Sequence, residues 1–161
     1  MPVEIERKFL VVGEGWREAA LGPPMPIRQG YVVDGAGTGM TVRVRLSGER
    51  AWLTLKSPGL MTRAEFEYAI PVGDAQALLD AHCASPPLAK RRTRVGHGGL
   101  VWEVDEFEGR LAGLVVAEVE LSSAGQAVAL PPWVGAEVTQ DSRFQNAALA
   151  RAEAVPVPRA G

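Results

Sequence analysis

VEIERKFLV, residues 3–11, alternates between apolar and charged side chains, with Arg7 and Leu10 as exceptions. Val3, Ile5 and Phe9 fall on one face of an extended strand, whereas Glu4 and Glu6 fall on the other face together with Lys8. Successive side chains of a strand point to opposite faces, so this period of two predicts a β-strand with one ionic face. Two carboxylates and an ammonium group side by side raise the question of what that face meets.

The same alternation recurs along the chain and predicts a sheet of about eight strands. Gly- and Pro-rich stretches at 34–39, 46–50, 57–59 and 96–99 indicate hairpins between antiparallel neighbours. The ionic faces together carry the side chains of Glu4, Glu6, Lys8, Arg43, Arg45, Lys56, Arg63, Glu65, Glu67, Lys90, Arg92, Glu103, Asp105, Glu118 and Glu120. Helices are predicted over 15–21, over 73–83 with Asp74 as N-cap, and over 141–154 with Asp141 as N-cap.

Length and composition indicate a single soluble domain. The chain has 161 residues, and its 47% apolar and 22% charged residues are the balance of a globular protein. We expect the domain to span 1–154 and a short Pro-rich tail to span 155–161. No apolar run is long enough to cross a membrane, and the acidic N-terminus MPVEIERK does not resemble a secretory signal, so a cytoplasmic protein is expected.

The overall charge and the scarcity of histidine and cysteine exclude some functions. A formal net charge of −2 gives no basic surface of the kind that binds duplex nucleic acid. Two histidines and one cysteine are too few for a zinc site. A metal in this protein would therefore be held by carboxylates, which favours Mg²⁺ or Mn²⁺.

The ionic faces can be explained in two ways. An antiparallel sheet with one solvated face produces the same alternation in any single strand. The faces, however, contain almost no Ser, Asn or Gln, and six strands repeat ionic pairs at i, i+2 spacing. If the sheet closes with these faces inward, it forms a tunnel whose buried ions need charged partners. Arginine and lysine suit phosphate oxygens, and Glu-x-Glu pairs suit a divalent cation. Covering helices, and beyond them a homodimer, would bury the apolar outer faces.

Nine short motifs follow one another in an order that resembles a known family. They are EIERK (4–8), QGY (29–31), RVR (43–45), LTLK (53–56), RAEFE (63–67), Lys-x-Arg (90–92), WEVDEF (102–107), AEVEL (117–121) and EVTQDSRFQNAALA (137–150). This succession is similar to the CYTH proteins, also called triphosphate tunnel metalloenzymes, in their small bacterial single-domain branch. The resemblance implies a β-dominated α+β fold, an eight-stranded antiparallel closed tunnel barrel with covering helices, which binds a linear triphosphate with Mg²⁺ or Mn²⁺.

The resemblance also assigns roles to individual residues. Metal-binding acids would be Glu4, Glu6, Asp105, Glu118 and Glu120, and phosphate-binding bases would be Arg43, Arg45, Lys56 and Arg92, with Arg63 and Lys90 as additions. Lys8 and Tyr31 match a pair implicated in hydrolysis. Three positions depart from the family pattern VTGDPRY, namely Gln140, Ser142 and Phe144, and the turn into the last helix is where these departures act.

The function expected from these features is metal-dependent hydrolysis of inorganic tripolyphosphate or a related organic triphosphate. Relatives of the same fold hydrolyse thiamine or nucleoside triphosphates or cyclise ATP as class IV-type adenylate cyclases, and a non-catalytic polyphosphate or triphosphate receptor is the alternative from another class. Trp52 shares the ionic face of Thr54 and Lys56, which places an aromatic ring near the expected tunnel mouth.

Overall fold

The computed structural model describes residues 2–37 and 39–158 of the chain. Nine strands are found in this described part: β1 Val3–Val11, β2 Met25–Asp34, β3 Thr41–Ser47, β4 Arg50–Lys56, β5 Thr62–Ile70, β6 Leu88–His97, β7 Leu100–Phe107, β8 Val115–Glu120 and β9 Val134–Glu137. The helices are α1, Val72–Ala81, and α2, Asn146–Arg151, and short 3-10 turns cover Gly15–Ala19, Gly109–Leu111 and Ser142–Phe144. Thr38 of the predicted hairpin loop and residues 159–161 of the predicted tail lie outside the described residues.

Antiparallel pairing closes eight strands into a barrel in the order β1-β5-β4-β3-β2-β6-β7-β8, and β8 returns to β1. This confirms the predicted closed eight-stranded barrel. β5 and β9 share one edge of β1, since β5 pairs with Val3–Ile5 and β9 pairs with Phe9 and Val11. β9 was not predicted, because its four residues are too few to show a period of two.

The outer faces of the barrel are apolar and are covered in two regions, while Val3 and Tyr68 stay exposed. Helix α1 lies over Val44 and Ala51 through its buried residues Ala75 and Leu79. On the opposite side, Trp16 and the segment 121–134 cover Phe9, Val95, Trp102, Val104, Ala117 and Val119. At Gly30 on β2, an added Cβ would lie 2.6 Å from Cys83 Sγ, so glycine allows the chain after α1 to approach the sheet closely.

One end of the barrel interior is filled by an apolar cluster, which we call the apolar plug. Its buried members, within the described residues, are Tyr31, Leu88, Phe107, Leu111, Leu114, Val116, Val138, Phe144, Leu149 and Ala150. Tyr31, Leu88, Phe107 and Val116 belong to the same alternating rows as Gln29, Lys90, Asp105 and Glu118. The inward face of the strands is therefore ionic over part of its length and apolar at the end that α2 covers.

The helix predictions need three corrections. The segment predicted as a helix over 15–21 is a five-residue 3-10 turn that buries Trp16. Helix α1 begins at Val72 with Pro71 as N-cap, and Asp74 lies in its first turn instead of capping it. The helix predicted over 141–154 is interrupted at Gln145, whose extended backbone (φ −65°, ψ 143°) separates the 3-10 turn from α2.

Two further features concern the end of the chain and membrane topology. Asp141 caps the 3-10 turn as predicted, because its side chain accepts a hydrogen bond from the Arg143 N–H. Residues 155–158 have no regular structure, while the division at residue 154 stays a prediction. No helix of the described part of the chain combines the length and the apolar character that a membrane span requires.

Candidate functional site

Inward-facing side chains of seven strands and the first residue of α2 enclose a cavity of about 210 Å³, the charged cavity. Its lining, as far as the chain is described, consists of Glu4, Glu6, Arg43, Arg45, Lys56, Glu65, Glu67, Arg92, Glu103, Glu118, Glu120 and Asn146. Seven carboxylates face four cations in this lining, so the cavity is acidic when all of these groups are ionised. A polyanion is attracted into such a cavity only together with additional cations.

Lys56 and Arg63 are held by carboxylates. Lys56 Nζ lies 2.8 Å from Glu4 Oε2 and 3.2 Å from Glu65 Oε2. Arg63 Nη2 lies 3.6 Å from both a Glu4 oxygen and a Glu6 oxygen. Burial opposes ionisation of Glu4, but Lys56 and then Arg63 outweigh it and lower the pKa of this carboxyl group. These two cations are therefore largely compensated before any ligand binds.

Arg92 is neutralised even more completely. Its Nε and Nη2 donate to the two oxygens of Asp105 at 2.7 and 2.9 Å, and its Nη1 donates to Glu103 at 3.0 Å. Lys90 Nζ lies 2.7 Å from Asp105 Oδ2. Burial opposes ionisation of Asp105, yet Arg92 and Lys90 lower its pKa to about 2. Burial lowers the pKa of Lys90 to about 7 against the attraction of Asp105.

The two arginines of β3 have few acidic partners. The carboxylate of Glu67 lies 3.9 Å from Arg43 Nη2, and Arg43 Nε is buried without a hydrogen-bond partner among the described residues. Arg45 makes no ion pair with a described residue and instead donates to the amide oxygen of Gln29. Burial, followed by repulsion from Arg43 and Arg92, lowers the pKa of Arg45 to about 9. β3 thus supplies the uncompensated positive charge of the cavity.

The acidic side of the cavity has the opposite imbalance. Burial and the neighbouring Glu118 and Glu4 raise the pKa of Glu6 to about 8. Burial also raises the pKa of Glu120, together with repulsion from Glu4 and other acids. Glu118 is held 3.3 Å from Lys8 Nζ. Such crowding is what a bound cation relieves, and oxygen donors of this kind suit a hard divalent ion.

The carboxylates are not arranged around a common metal position. Among the described residues, no group of three His, Cys, Asp or Glu side chains is placed to hold a metal ion. The geometry explains this, because oxygens of Glu4, Glu6 and Glu118 are directed at Lys56, Arg63 and Lys8. The chemistry of the donor set fits Mg²⁺ or Mn²⁺, but those oxygens must first be released from the cations.

Lys8 and Tyr31, the pair implicated in hydrolysis, have different surroundings. Lys8 Nζ donates to the Phe144 carbonyl oxygen at 2.9 Å, and the Lys8 backbone N–H donates to Thr139 Oγ1 at 2.9 Å. Lys8 also lines a side cavity of about 10 Å³ with Glu6, Arg63, Thr139 and Gln145, which is the volume of about one water molecule. Tyr31 is 4% exposed and packs in the apolar plug.

A second cavity of about 480 Å³, the apolar cavity, adjoins the charged one. Its described lining is Leu21, Gly22, Pro23, Pro24, Met25, Pro26, Ile27, Arg45, Ser47, Trp52, Arg92, Arg94 and Glu103. Arg45, Arg92 and Glu103 line both cavities, so the two are contiguous. Trp52 accordingly stands beside the charged cavity, as its position in the sequence suggested.

The structure brings most of the predicted site residues together. Eight line the charged cavity, namely Glu4, Glu6, Arg43, Arg45, Lys56, Arg92, Glu118 and Glu120. Lys8 and Arg63 line the side cavity, whereas Asp105 and Lys90 are buried behind Arg92. The roles of these residues stay predictions.

Two residues at the site were not predicted from the sequence: Asn146, which lines the charged cavity, and Gln29, which is fully buried and accepts hydrogen bonds from the cavity residue Arg45. Gln29 stands within the quoted motif QGY, but a neutral residue in an ionic row gave no signal. Asn146 reaches the cavity from α2, and no periodicity connects that segment to the barrel interior.

Comparison with known proteins agrees with this geometry. The CYTH domain matches residues 2–151 of the chain. An inorganic triphosphatase of Acetivibrio thermocellus is 40% identical over 152 residues, which cover 94% of this chain and 95% of the relative. An inorganic triphosphatase of Nitrosomonas europaea is 38% identical over 151 residues, covering 91% and 96%. A crystal structure of an inorganic triphosphatase superimposes with a TM-score of 0.67 at 35% identity and covers 96% of this chain and 98% of that one. By its domain and by these relatives over nearly its whole length, the chain belongs to the CYTH domain family.

Proposed function

We propose that this protein is a triphosphatase that hydrolyses inorganic tripolyphosphate in the charged cavity with the help of Mg²⁺ or Mn²⁺. The observation that carries the proposal is the division of charge within one cavity. On β3, Arg43 and Arg45 lack close carboxylate partners, while Glu4, Glu6 and Glu118 are crowded together nearby. Such a cavity complements an anion and its metal ions at the same time. The names of the curated relatives agree with this reaction.

Substrate binding exchanges one set of ionic partners for another. Phosphate oxygens accept hydrogen bonds from Arg43 and Arg45, and they compete with Glu4 and Glu65 for Lys56. The released carboxylates of Glu4, Glu6, Glu118 and Glu120 would hold the divalent cation. When bound, that ion supplies neutralisation of the phosphate charge in the transition state. Phosphoryl transfer depends mainly on this positioning and charge compensation.

In the chemical step, water attacks a terminal phosphorus atom and the bridging P–O bond breaks. Tripolyphosphate and water give pyrophosphate, orthophosphate and one proton. Lys8 is the residue that we expect to orient the water, because its ammonium group borders the side cavity next to Glu6. Tyr31 would support the same end of the site from within the apolar plug.

The test is a phosphate-release assay with purified protein and tripolyphosphate in Mg²⁺ and in Mn²⁺. Glu4→Gln should reduce turnover by at least about a hundredfold, because it removes a charge that both Lys56 and the metal require. Glu14→Gln is the matched control, since Glu14 is exposed and pairs with Arg17 on the surface. A background rate in both metals, unaltered by Glu4→Gln, would reject the proposal.

A related organic triphosphate is the second candidate substrate, and the apolar cavity favours it. The volume of about 480 Å³, the Trp52 ring and the wall formed by Met25 and Ile27 suit an aromatic or heterocyclic group. Arg45 and Arg92, shared by both cavities, stand where such a group would join the phosphates.

Trp52→Ala distinguishes the two substrate classes. If an organic triphosphate binds here, the KM for ATP or thiamine triphosphate should rise about tenfold while that for tripolyphosphate changes less than about twofold. Equal KM changes for both substrates would exclude the apolar cavity as a substrate site. Separating the products of ATP distinguishes hydrolysis to ADP and AMP from cyclisation.

A further inference from the structure

Gln29 is a fully buried residue of β2 whose amide meets Arg45 on the neighbouring strand β3. Arg45 Nε and Nη2 both donate to Gln29 Oε1, at 3.2 and 3.1 Å. A guanidinium group has only donors, so these two bonds identify which end of the amide carries the oxygen. The other end, Nε2, is buried without a hydrogen-bond partner among the described residues. The amide is thus fixed by Arg45 and leaves one donor unpaired.

Arg92 provides an internal comparison for Arg45. The same two nitrogens, Nε and Nη2, hold Arg92 against Asp105 at 2.7 and 2.9 Å. In that pair the acceptor carries a negative charge, and the positive charge of the arginine is cancelled locally. For Arg45 the acceptor is neutral, and both arginines line the charged cavity. The two arginines therefore have similar anchoring, but the Arg92–Asp105 pair is neutral, whereas the Arg45–Gln29 pair keeps a positive charge.

Leucine, methionine and glutamate at position 29 would not combine these two properties. Leucine or methionine would avoid the unpaired buried donor but would leave the Arg45 guanidinium unheld. Glutamate has the same length and would hold Arg45, but its charge would cancel that of the arginine. Compared with these three side chains, the amide holds the guanidinium and leaves its charge free, at the cost of one buried unpaired N–H.

We infer that Gln29 is a positioning residue that fixes Arg45 in the charged cavity by a neutral hydrogen-bond acceptor, so that the guanidinium charge stays available to a substrate phosphate. The inference rests on the proposed function, since it concerns the same cavity and the same class of polyanionic substrate. It assigns Gln29 an effect on substrate affinity that is separate from any effect on folding.

Gln29→Glu tests the inference because it keeps the length of the side chain and the acceptor oxygen, while it replaces the unpaired amide nitrogen with an oxygen and adds a negative charge. The KM for tripolyphosphate should rise at least about tenfold, while kcat changes less than about threefold. The thermal unfolding midpoint should stay the same or rise, because a buried cation gains a counter-charge. Gln126→Glu is the matched control: its amide oxygen also accepts two hydrogen bonds, from the Ser122 N–H and hydroxyl, but on a surface loop.

Gln29→Met is the second variant, and it carries the test alone if Gln29→Glu does not fold. It keeps the Arg45 charge but removes its anchor, so the KM should rise about threefold to tenfold. A KM within twofold of the wild-type value in the variant that folds would overturn the inference. A raised KM in Gln126→Glu of the same size as in Gln29→Glu would also overturn it, because the effect would then follow from net charge alone.

The outcomes separate this inference from the proposed function. If the wild type shows no turnover, the dissociation constant for tripolyphosphate with Mg²⁺ is measured by calorimetry instead. Weaker binding by Gln29→Glu in that case would support the inference while the hydrolytic function fails. Turnover with an unchanged KM would reject the inference and leave the function intact. Absence of both turnover and binding in the wild type would reject both.

Discussion

The two halves of the barrel interior share strands β6, β7 and β8 and yet have opposite chemistry. On three strands, the inward-facing residue next to an ionic one is apolar. Leu10 follows Lys8, Phe107 follows Asp105, and Val116 precedes Glu118, each two positions away in the sequence. In the ionic half, most buried charges have an oppositely charged partner, and the loss of such a partner is costly. In the apolar plug, stability comes from burial and close packing, which do not depend on charge. The two halves should therefore respond differently to mutation and to pH.

The largest effect on stability should come from the most buried ion pair in the ionic half. Asp105→Asn removes the counter-charge of buried Lys90 and leaves Arg92 only its pair with Glu103, and it should lower the free energy of unfolding by about 3–5 kcal/mol. Urea denaturation in EDTA measures this change in the metal-free protein. Glu103→Gln touches the same Arg92, but its side chain is 41% exposed, so the loss should be under about 1 kcal/mol. Equal losses would show that burial does not decide the strength of these pairs.

A substitution in the apolar plug should lower the free energy of unfolding by less, through loss of packing instead of loss of an ion pair. Leu149, 1% exposed on α2, packs among the apolar residues of the plug. Leu149→Ala should lower the free energy of unfolding by about 2–3 kcal/mol, the low part of the usual range, because a short terminal helix relaxes readily. Val157→Ala, at a side chain 77% exposed, is the matched control and should change it by less than about 0.5 kcal/mol. A similar result for both variants would mean that α2 does not seal the barrel.

Acid should distinguish the two halves directly. The pKa of Asp105 is about 2 in the folded protein, below its value in an unfolded chain, because Arg92 and Lys90 outweigh burial. Its ionisation therefore stabilises the fold above about pH 4, and this contribution is lost as the pH falls through about 2. The difference between wild type and Asp105→Asn should shrink by about 2 kcal/mol over that range. The difference for Leu149→Ala should stay constant, and a parallel decline of both would contradict the assignment.

The smallest effect concerns the turn that leads into the plug. Asp141 has extended backbone angles, φ −98° and ψ 103°, which suit a residue before proline, and Ser142 opens the 3-10 turn. Ser142→Pro, which restores the residue of the family pattern, should raise the free energy of unfolding by about 0.4–1 kcal/mol. Ser142→Ala separates loss of the hydroxyl group from restriction of the backbone and should change little. A destabilising proline would show that the Ser142 N–H is needed by the turn.

The closed barrel and the composition of the charged cavity could be predicted because the sequence alternates with a period of two. Glu4 with Glu6 and Arg43 with Arg45 each mark an inward face, and closure follows when several such faces must avoid bulk solvent. The apolar plug could not be predicted in the same way. Leu10, Phe107 and Val116 share the inward rows with ions, and at the end of a strand a lone apolar residue carries no periodic signal.

The partner of each charged residue could also not be predicted from the sequence. Alternation places Arg45 and Arg92 on inward faces, but it does not say that one meets an amide and the other a carboxylate. That distinction depends on the register of β2 with β3 and of β6 with β7, which sets Gln29 opposite Arg45 and Asp105 opposite Arg92. The predicted helix boundaries were wrong for local reasons. Helix α1 has Pro71 as its N-cap, and helix α2 has the extended residue Gln145 as its N-cap.

The apolar plug limits how a long substrate can pass through the barrel. With that end of the barrel sealed by Leu88, Phe107 and Phe144, a long polymer cannot be threaded through from one side to the other. A chain of many linked units would then present its terminus to the charged cavity, and released fragments would leave on the side away from the apolar plug. The barrel interior is thus open at one end only, which favours removal of terminal units from a polymer over cleavage within it.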